Sequence, residues 1–239
     1  MDLTIEIPRP DDWHVHLRDG AMLEAVVGYT ASRFRYAMIM PNLSPPIAST
    51  ELAQHYRQRI IDAAGDQSSD FQPLMTVYCA PSLMQDDLLR GHETGIIKAV
   101  KYYPAGATTN SSHGGDNILN FVELFEIMAE HGIPLLVHAE STNTEIDIFD
   151  REAAFLDQEL HPLCERIPNL QVTVEHVSTS AGVEFVMEHS GVAASVTPHH
   201  LSRNKSDLLT PEFDPDLFCK PIINSEADRQ VIVEAATSG

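Results

Sequence analysis

The chain has 239 residues, 43% of them hydrophobic and 21% charged, which suits one large α/β domain or two small ones. A formal net charge of −20 excludes nucleic acid and anionic membranes as expected partners. No signal peptide and no apolar stretch of transmembrane length is visible. Cys79, Cys164 and Cys219 form no closely spaced motif, so we expect reduced thiols in a cytoplasmic protein.

Predicted strands and helices alternate along the chain. Short apolar or β-branched runs predict strands at 12–17, 36–40, 73–79, 97–103, 133–138, 171–177 and 193–197. Helical periodicity is clearest at 50–64, 117–131, 146–160, 180–189 and 226–236, and Gly132 and Gly191 stand at expected helix ends. The alternation predicts a parallel sheet, either an open doubly wound sheet or a (β/α)8 barrel with about seven of its eight strands.

The first predicted strand lies in the sequence Asp-Asp-Trp-His-Val-His-Leu-Arg at 11–18. Because alternate side chains of a strand face opposite ways, Asp12, His14, His16 and Arg18 share one face. Two imidazoles that project toward one point indicate a metal site, since imidazole is a common metal ligand. The alternative is a strand whose polar side faces solvent.

The fourth predicted strand contains Lys101 in an otherwise apolar run. Burying a bare ammonium group is costly, so a lysine pointing into a barrel must be paired, shifted in pKa or chemically modified. Carbon dioxide adds to a neutral amine to give a carbamate, which can bridge two metals. The alternative is a lysine that reaches the barrel mouth and forms a salt bridge there. The polar, glycine-containing segment 104–116 follows, as a functional loop or an ordinary surface connection.

Two further histidines end predicted strands. His138 closes Pro-Leu-Leu-Val-His, and His176 closes Val-Thr-Val-Glu-His. The carboxyl ends of barrel strands converge on one mouth, whereas the first, fifth and sixth strands of an open sheet need not be neighbours. Four histidines at the same end of parallel strands therefore favour the barrel, in which they would meet.

Six stretches recur together in one known family. They are RPDDWHVHLRDG (9–20), MPNLSPP (40–46), KYYPAGATTNSSHG (101–114), PLLVHAE (134–140), DIFDRE (147–152) and EHVST (175–179). In this order and spacing they resemble dihydroorotases of the shorter bacterial type, in the amidohydrolase superfamily. The resemblance runs from about residue 7 to Gly239. It implies a single α/β domain over residues 1–239, a (β/α)8 TIM-like barrel of the metal-dependent hydrolase type.

The resemblance implies a site with two zinc ions per subunit. His14 and His16 would bind the more buried ion, and His138 and His176 would bind the more exposed one. Lys101, carboxylated, would bridge the two ions.

The resemblance also implies a substrate, N-carbamoyl-L-aspartate, which would be cyclised reversibly to L-dihydroorotate in de novo pyrimidine synthesis. Arg18 and Asn42 would hold the α-carboxylate, since an arginine fork suits a planar anion. The loop with Thr108 and Thr109 would close over the substrate, and the backbone near Lys220 would contact its ring. Because the family often forms homodimers, the resemblance implies a homodimer as well.

The family carries an aspartate at the end of strand eight that acts as zinc ligand and proton shuttle. This sequence stops at Gly239 before a matching segment, so we assign no catalytic residue and expect the general-base aspartate to lie beyond Gly239. We interpret the chain as C-terminally incomplete, with a strand supplied by a partner or a second copy as the alternative. Such a barrel would leave its first and seventh strands with unpaired edges.

Two other functions stay open. Hydantoinases and allantoinases share the His-x-His pattern and the bridging lysine but not the loop sequence at 104–113, so they rank behind. A non-catalytic homologue kept for metal binding or subunit assembly is the other alternative, and metal uptake without turnover would indicate it.

Trp13 and seven further histidines are expected to have structural rather than functional roles. Trp13 is expected to pack between strand and helices, and His199 and His200 are expected in a structural turn. Five more histidines lie in predicted helical segments and are expected at the surface: His55, His92, His131, His161 and His189.

Overall fold

The computed structural model describes residues 4–65 and 70–238. In this part of the chain, strands pair in parallel and in chain order. They are β1 Asp12–Val15, β2 Tyr36–Ile39, β3 Gln72–Tyr78, β4 Ile97–Tyr102, β5 Leu135–Val137, β6 Val172–Val174 and β7 Val192–Ala194.

Helices fill the connections between strands. They are α1 Gly20–Ala31, α2 Thr50–Ala64, α3 Gln85–Glu93, α4 Val122–His131, α5 Arg151–Phe155, α6 His161–Arg166, α7 Ser180–Glu188, α8 Pro198–Ser202, α9 Lys205–Leu209 and α10 Glu226–Thr237. A 3-10 turn Ile118–Phe121 precedes α4, a π-helical turn Leu156–Leu160 joins α5 to α6, and a 3-10 turn Pro215–Leu217 precedes α10.

The sheet is curled rather than flat. β1 and β6 stand at nearly opposite ends of the strand order, yet the rings of His14 and His176 lie 5.0 Å apart. The main apolar core fills the space between the strands and the helices, and a smaller cluster of Met38, Met40, Ala99 and Leu136 lies apart from it. The predicted α/β barrel is confirmed, with seven parallel strands in the described ranges.

Local chemistry explains where several helices begin and end. Ser49 caps α2 by accepting a hydrogen bond from the Leu52 N–H, and Ser225 forms a capping box with Asp228 on α10. Gly132 ends α4 in the left-handed conformation (φ 65°), as predicted, because a glycine adopts it without steric cost. The prediction for Gly191 is wrong, since α7 ends at Glu188 and His189 is its C-cap residue.

Other differences arise from tertiary context. The helix predicted from 146 begins only at Arg151, after a chain of turns at 144–150. Helices α1 and α3 were not among the predicted segments. Trp13 was expected between strand and helices but is 56% exposed, because β1 is an edge strand and Trp13 lines the cleft beside it.

In the described ranges, β1 and β7 stand at the two edges of the sheet, as expected. The cleft beside them has a volume of about 800 Å³ and runs from Trp13 and His14 to Ala194 and Ser195. Among the described residues, no helix combines the length and apolarity needed to cross a membrane.

Candidate metal centre

The first histidine pair lies at the carboxyl end of β1. The Nε2 atoms of His14 and His16 are 3.1 Å apart. Burial lowers the pKa of His16 well below its usual value, and the charge of His14 adds to this. His16 is therefore neutral at pH 7 and offers a nitrogen lone pair, the form in which imidazole binds metals.

The second pair comes from the ends of β5 and β6. His138 Nδ1 is 3.2 Å from His176 Nε2, and His138 Nε2 is 3.0 Å from a carboxylate oxygen of Glu140. Since a carboxylate only accepts, the proton of His138 sits on Nε2 and the lone pair of Nδ1 points toward His176. Glu140 also accepts a hydrogen bond from Lys220 Nζ at 2.5 Å. Burial lowers the pKa of both histidines.

Lys101 is fully buried on β4, between the two pairs. Its ammonium group forms an ion pair with one oxygen of Glu175, whose other oxygen lies 2.9 Å from His14 Nδ1. Burial lowers the pKa of Lys101 against the attraction of Glu175. Burial raises the pKa of Glu175, but His14 and Lys101 outweigh it and bring that pKa to about 2. Lys101 is thus paired in the interior rather than at the surface.

These donors fit divalent transition metals. Ligand atoms of His14, Glu175 and His176 all lie within 4.8 Å of one another. Tetrahedral zinc with Zn–N bonds of about 2.0–2.1 Å places two ligand nitrogens about 3.3 Å apart. Both histidine pairs show this spacing, and Nδ1 of His16 and of His176 are buried without a hydrogen-bond partner among the described residues.

A buried carboxylate fixes the loop that carries His176. Glu152 of α5 accepts hydrogen bonds from Ser178 N (2.9 Å) and Oγ (2.7 Å) and from Thr179 N (3.0 Å) and Oγ1 (2.6 Å). Burial raises the pKa of Glu152 to about 7, and these four donors oppose that rise. His176 itself has a positive φ of 46°, a backbone conformation that residues other than glycine rarely adopt. The Glu152 contacts therefore help to maintain it.

The space for Glu152 depends on one glycine. A Cβ atom on Gly182 would lie 2.6 Å from Glu152 Oε1 and 2.5 Å from Val177 Cγ1. Both distances are below van der Waals contact, so a larger residue at 182 would displace the carboxylate that holds the His176 loop.

A polar region made of loops lies beside the metal-ligand candidates. Asn42 Nδ2 donates to the Thr109 carbonyl at 2.8 Å, and Asn110 Nδ2 donates to the Asn42 carbonyl at 3.2 Å. Thr108 is held in the same loop, where its N–H donates to Ser111 Oγ. The loop 104–116 thus packs onto Asn42.

Arg18 follows β1 in this region. Its backbone has a φ of 59°, and its carbonyl accepts a hydrogen bond from the Tyr56 hydroxyl at 2.6 Å. One guanidinium nitrogen of Arg18 and the side-chain oxygen of Asn42 are buried and have no hydrogen-bond partner in residues 4–65 and 70–238. Arg18 also shares a cleft with Asn110. The region therefore offers a cation and amide groups to a polar ligand.

His200 lies in the short helix α8, not in a simple turn. It is buried, with Nδ1 2.6 Å from Thr197 Oγ1 and Nε2 3.2 Å from the Pro221 carbonyl. Burial, and then the charge of His199, lowers the pKa of His200 to about 4. His200 thus links α8 to the Lys220–Pro221 segment, whose lysine contacts Glu140.

Sequence reasoning gave no role to three buried acids, Glu140, Glu152 and Glu175. All three lie in the stretches that carried the family resemblance. Glu175 had a visible signal, because a carboxylate in the apolar run Val-Thr-Val-Glu-His needs a buried partner as Lys101 does. Glu152 gave no such signal, since its partners Ser178 and Thr179 come from a distant segment. Glu140 has a near partner in His138, but its second partner, Lys220, is 80 positions away.

A curled parallel sheet with a histidine-rich, metal-fitting mouth is typical of metal-dependent hydrolases. Accordingly, the model of the Amidohydrolase family matches residues 11–209. The dihydroorotase of Halorhodospira halophila is 47% identical over 237 residues, which are 99% of this chain and 68% of the relative. The chain belongs to the amidohydrolase family and, within it, to the dihydroorotases.

Solved structures agree with this placement. The crystal structure of a dihydroorotase from Campylobacter jejuni matches with a TM-score of 0.89 and 35% identity, over 96% of this chain and 66% of that one. An L-hydantoinase from Arthrobacter aurescens matches with a TM-score of 0.77 at 17% identity, over 97% of this chain and 56% of that one, and so shares the fold alone. The chain spans about two thirds of the length of the dihydroorotases it matches.

Proposed function

We propose that this chain holds the two-zinc site of a dihydroorotase, the enzyme that catalyses the reversible cyclisation of N-carbamoyl-L-aspartate to L-dihydroorotate. The observation that carries the proposal is the pairing of four histidines, at 3.1 and 3.2 Å, around the buried Lys101. Membership of the dihydroorotases supports the choice of substrate. When bound, the metal pair supplies Lewis-acid polarisation of the reacting carbonyl and an activated water.

The chain's own residues would divide the metal site into two halves. His14 and His16 would hold one ion, and His138 and His176 would hold the other. Lys101, as a carbamate, would lie between them. Glu140 supports this arrangement, because its contact with His138 Nε2 leaves Nδ1 free to bind.

Carboxylation of Lys101 requires the neutral form of its amine. The neutral amine attacks carbon dioxide, a nitrogen–carbon bond forms, and one proton leaves the nitrogen. The ion pair with Glu175 favours the ammonium form, so it must open before the carbamate forms. A ¹³C-bicarbonate experiment on zinc-loaded protein should show a carbamate resonance that Lys101→Met removes. Catalytically active protein without that resonance would contradict the bridging role.

The loop region would orient the substrate. The Arg18 guanidinium would pair with the substrate carboxylate, and Asn42 would add hydrogen bonds beside it. Thr108 and Thr109 would contact the substrate from the loop 104–116, and the backbone near Lys220 would contact its ring. Arg18 and the metal ions would also offset the repulsion between an anionic substrate and a chain of net charge −20.

The test compares three cyclic amides. Zinc-loaded protein, supplied with bicarbonate, should open L-dihydroorotate and leave hydantoin and allantoin unreacted. Lys101→Met should abolish that turnover. Faster turnover of hydantoin or allantoin would contradict the proposed substrate. Stoichiometric metal without turnover of any of the three would contradict the enzymatic proposal and favour the non-catalytic alternative.

We also propose a cytoplasmic location and a homodimer. Three free cysteines support the first, since reduced thiols are typical of that compartment. The homodimer rests on the family resemblance and stays a prediction, which sedimentation of the purified protein would test.

A further inference from the structure

A second close pair of histidines lies on the outer helical layer. His161 begins α6 and His189 follows α7, and His161 Nδ1 is 3.2 Å from His189 Nε2. The two rings border a surface cleft of about 270 Å³, which is also lined by Asp157, Glu184 and Glu188. The cleft thus combines two imidazoles with three carboxylates.

The hydrogen bonds of His189 determine its tautomer. His189 Nδ1 lies 2.8 Å from the Phe185 carbonyl, which only accepts, so Nδ1 carries the proton. The lone pair of Nε2 therefore points toward His161. The Phe185 ring stacks on the imidazole at 4.1 Å between centroids and holds its plane. A ring fixed by a carbonyl on its far nitrogen is the usual arrangement of a metal-binding histidine.

His161 faces this lone pair with its own Nδ1. Its other nitrogen, Nε2, lies 3.7 Å from a carboxylate oxygen of Glu165, beyond hydrogen-bond distance. With no metal bound, His161 Nδ1 can donate a hydrogen bond to His189 Nε2 over 3.2 Å, and a cation can replace that proton between the two nitrogens. The distance matches the spacing of about 3.3 Å between two imidazole nitrogens on one tetrahedral zinc ion.

We propose that His161 and His189 bind a divalent transition-metal ion of the zinc, nickel or copper type. Water would complete its coordination, and the carboxylates of Asp157, Glu184 and Glu188 that line the cleft would add negative charge around the ion. The side chain of His161 is 46% exposed, so the ion exchanges readily with solvent, unlike metal in the buried mouth. The net charge of −20 raises the local concentration of cations. This site is independent of the proposed function.

The test is a nickel titration of zinc-loaded, desalted protein by calorimetry. Wild-type protein should bind one further equivalent of Ni²⁺, and His161→Gln and His189→Gln should each weaken that binding about tenfold or more. His131→Gln is the matched control, because His131 is an exposed histidine on α4. It should bind like wild type. Dihydroorotate turnover should be the same in His161→Gln and wild type, so this test and that of the function fail separately.

Electron paramagnetic resonance gives a second readout with Cu²⁺ in place of Ni²⁺. The spectrum should show two coordinating nitrogens in wild type and one in His161→Gln. Equal metal affinity of wild type and both variants would overturn the proposal. Wild-type protein that takes up no metal beyond the mouth would overturn it as well.

Discussion

The two sides of the mouth are built in different ways. On the metal side, Lys101, His138 and His176 sit on or directly after strands, are buried, and contact one another or nearby carboxylates. On the other side, Arg18 and Asn42 sit on loops, and each keeps a buried polar atom without a partner in the part of the chain that the structure describes. The sheet therefore positions the proposed metal ligands, whereas loop-to-loop hydrogen bonds position the proposed substrate site.

This difference gives each side its own experimental signature. A change on the metal side should alter metal content and stability together, because the same contacts serve both. A change on the loop side should alter substrate binding and leave the metals in place. A loop-side variant that loses metal, or a metal-side variant that changes substrate binding alone, would contradict this division.

The largest effect is expected for Lys101→Met. Removing the ammonium leaves Glu175 as a buried charge beside His14 and removes the residue between the two histidine pairs. We expect metal content to fall from about two ions to one or fewer, and turnover to fall more than about 100-fold. Metal analysis and a dihydroorotate assay measure this. Lys98→Met is the control, since Lys98 is exposed on the same strand. Two retained metals with near-normal turnover in Lys101→Met would contradict the bridging role of Lys101.

Glu152→Ala should destabilise the protein without touching a metal ligand. It leaves four donors of Ser178 and Thr179 unpaired, at a cost of about 4 kcal/mol in the free energy of unfolding. The metal held by His176 should be lost more readily than the other. Urea unfolding and stepwise chelation measure both effects.

Two variants sharpen the Glu152 result. Glu152→Gln should rescue little, because its amide nitrogen would face a backbone N–H, which is also a donor. Glu126→Ala, at an exposed position of α4, should change stability by less than about 0.5 kcal/mol. If Glu152→Ala behaves like this control, the carboxylate does not hold the His176 loop.

The strand-borne side was largely predictable from sequence. The period of two placed His14 and His16 on one face of β1, and the parallel order of strands brought the ends of β5 and β6 to the same mouth. These inferences need only local geometry and topology. The structure places all four histidines together, while their roles as ligands stay predictions.

The loop-borne contacts were not predictable in the same way. Glu152 contacts Ser178 across 26 positions, and Lys220 contacts Glu140 across 80, so no local pattern reveals either pair. Trp13 shows the same limit, because its exposure depends on β1 being an edge strand. Local patterns give an element and its faces, whereas the partner across a loop depends on the whole fold.

The buried His200 should make the stability of the protein depend on pH. Its pKa falls from 6.5 to about 4 on folding, because burial disfavours the charged ring. The unfolded chain therefore takes up the proton first, and the stability present above pH 6.5 is lost as the pH falls toward 4. The loss amounts to about 3 kcal/mol. In urea unfolding, His200→Gln should lack this part of the pH dependence of the unfolding free energy. The control His55→Gln, at an exposed position, should retain it. An equal change of unfolding free energy with pH in the two variants would show that His200 is not the group responsible.

Arg18→Gln should give the smallest effect and the clearest separation of the two sides. It removes a charged donor that has no partner among the described residues, so the apparent KM for dihydroorotate should rise about thirtyfold, or about 2 kcal/mol. Metal content should remain that of wild type, because among the described residues no hydrogen bond or ion pair joins the Arg18 guanidinium to a proposed metal ligand. Arg33→Gln, at an exposed position after α1, is the matched control. Loss of metal in Arg18→Gln would show that the loops and the strands of the mouth form one coupled unit. An unchanged KM would show that Arg18 does not bind the substrate carboxylate.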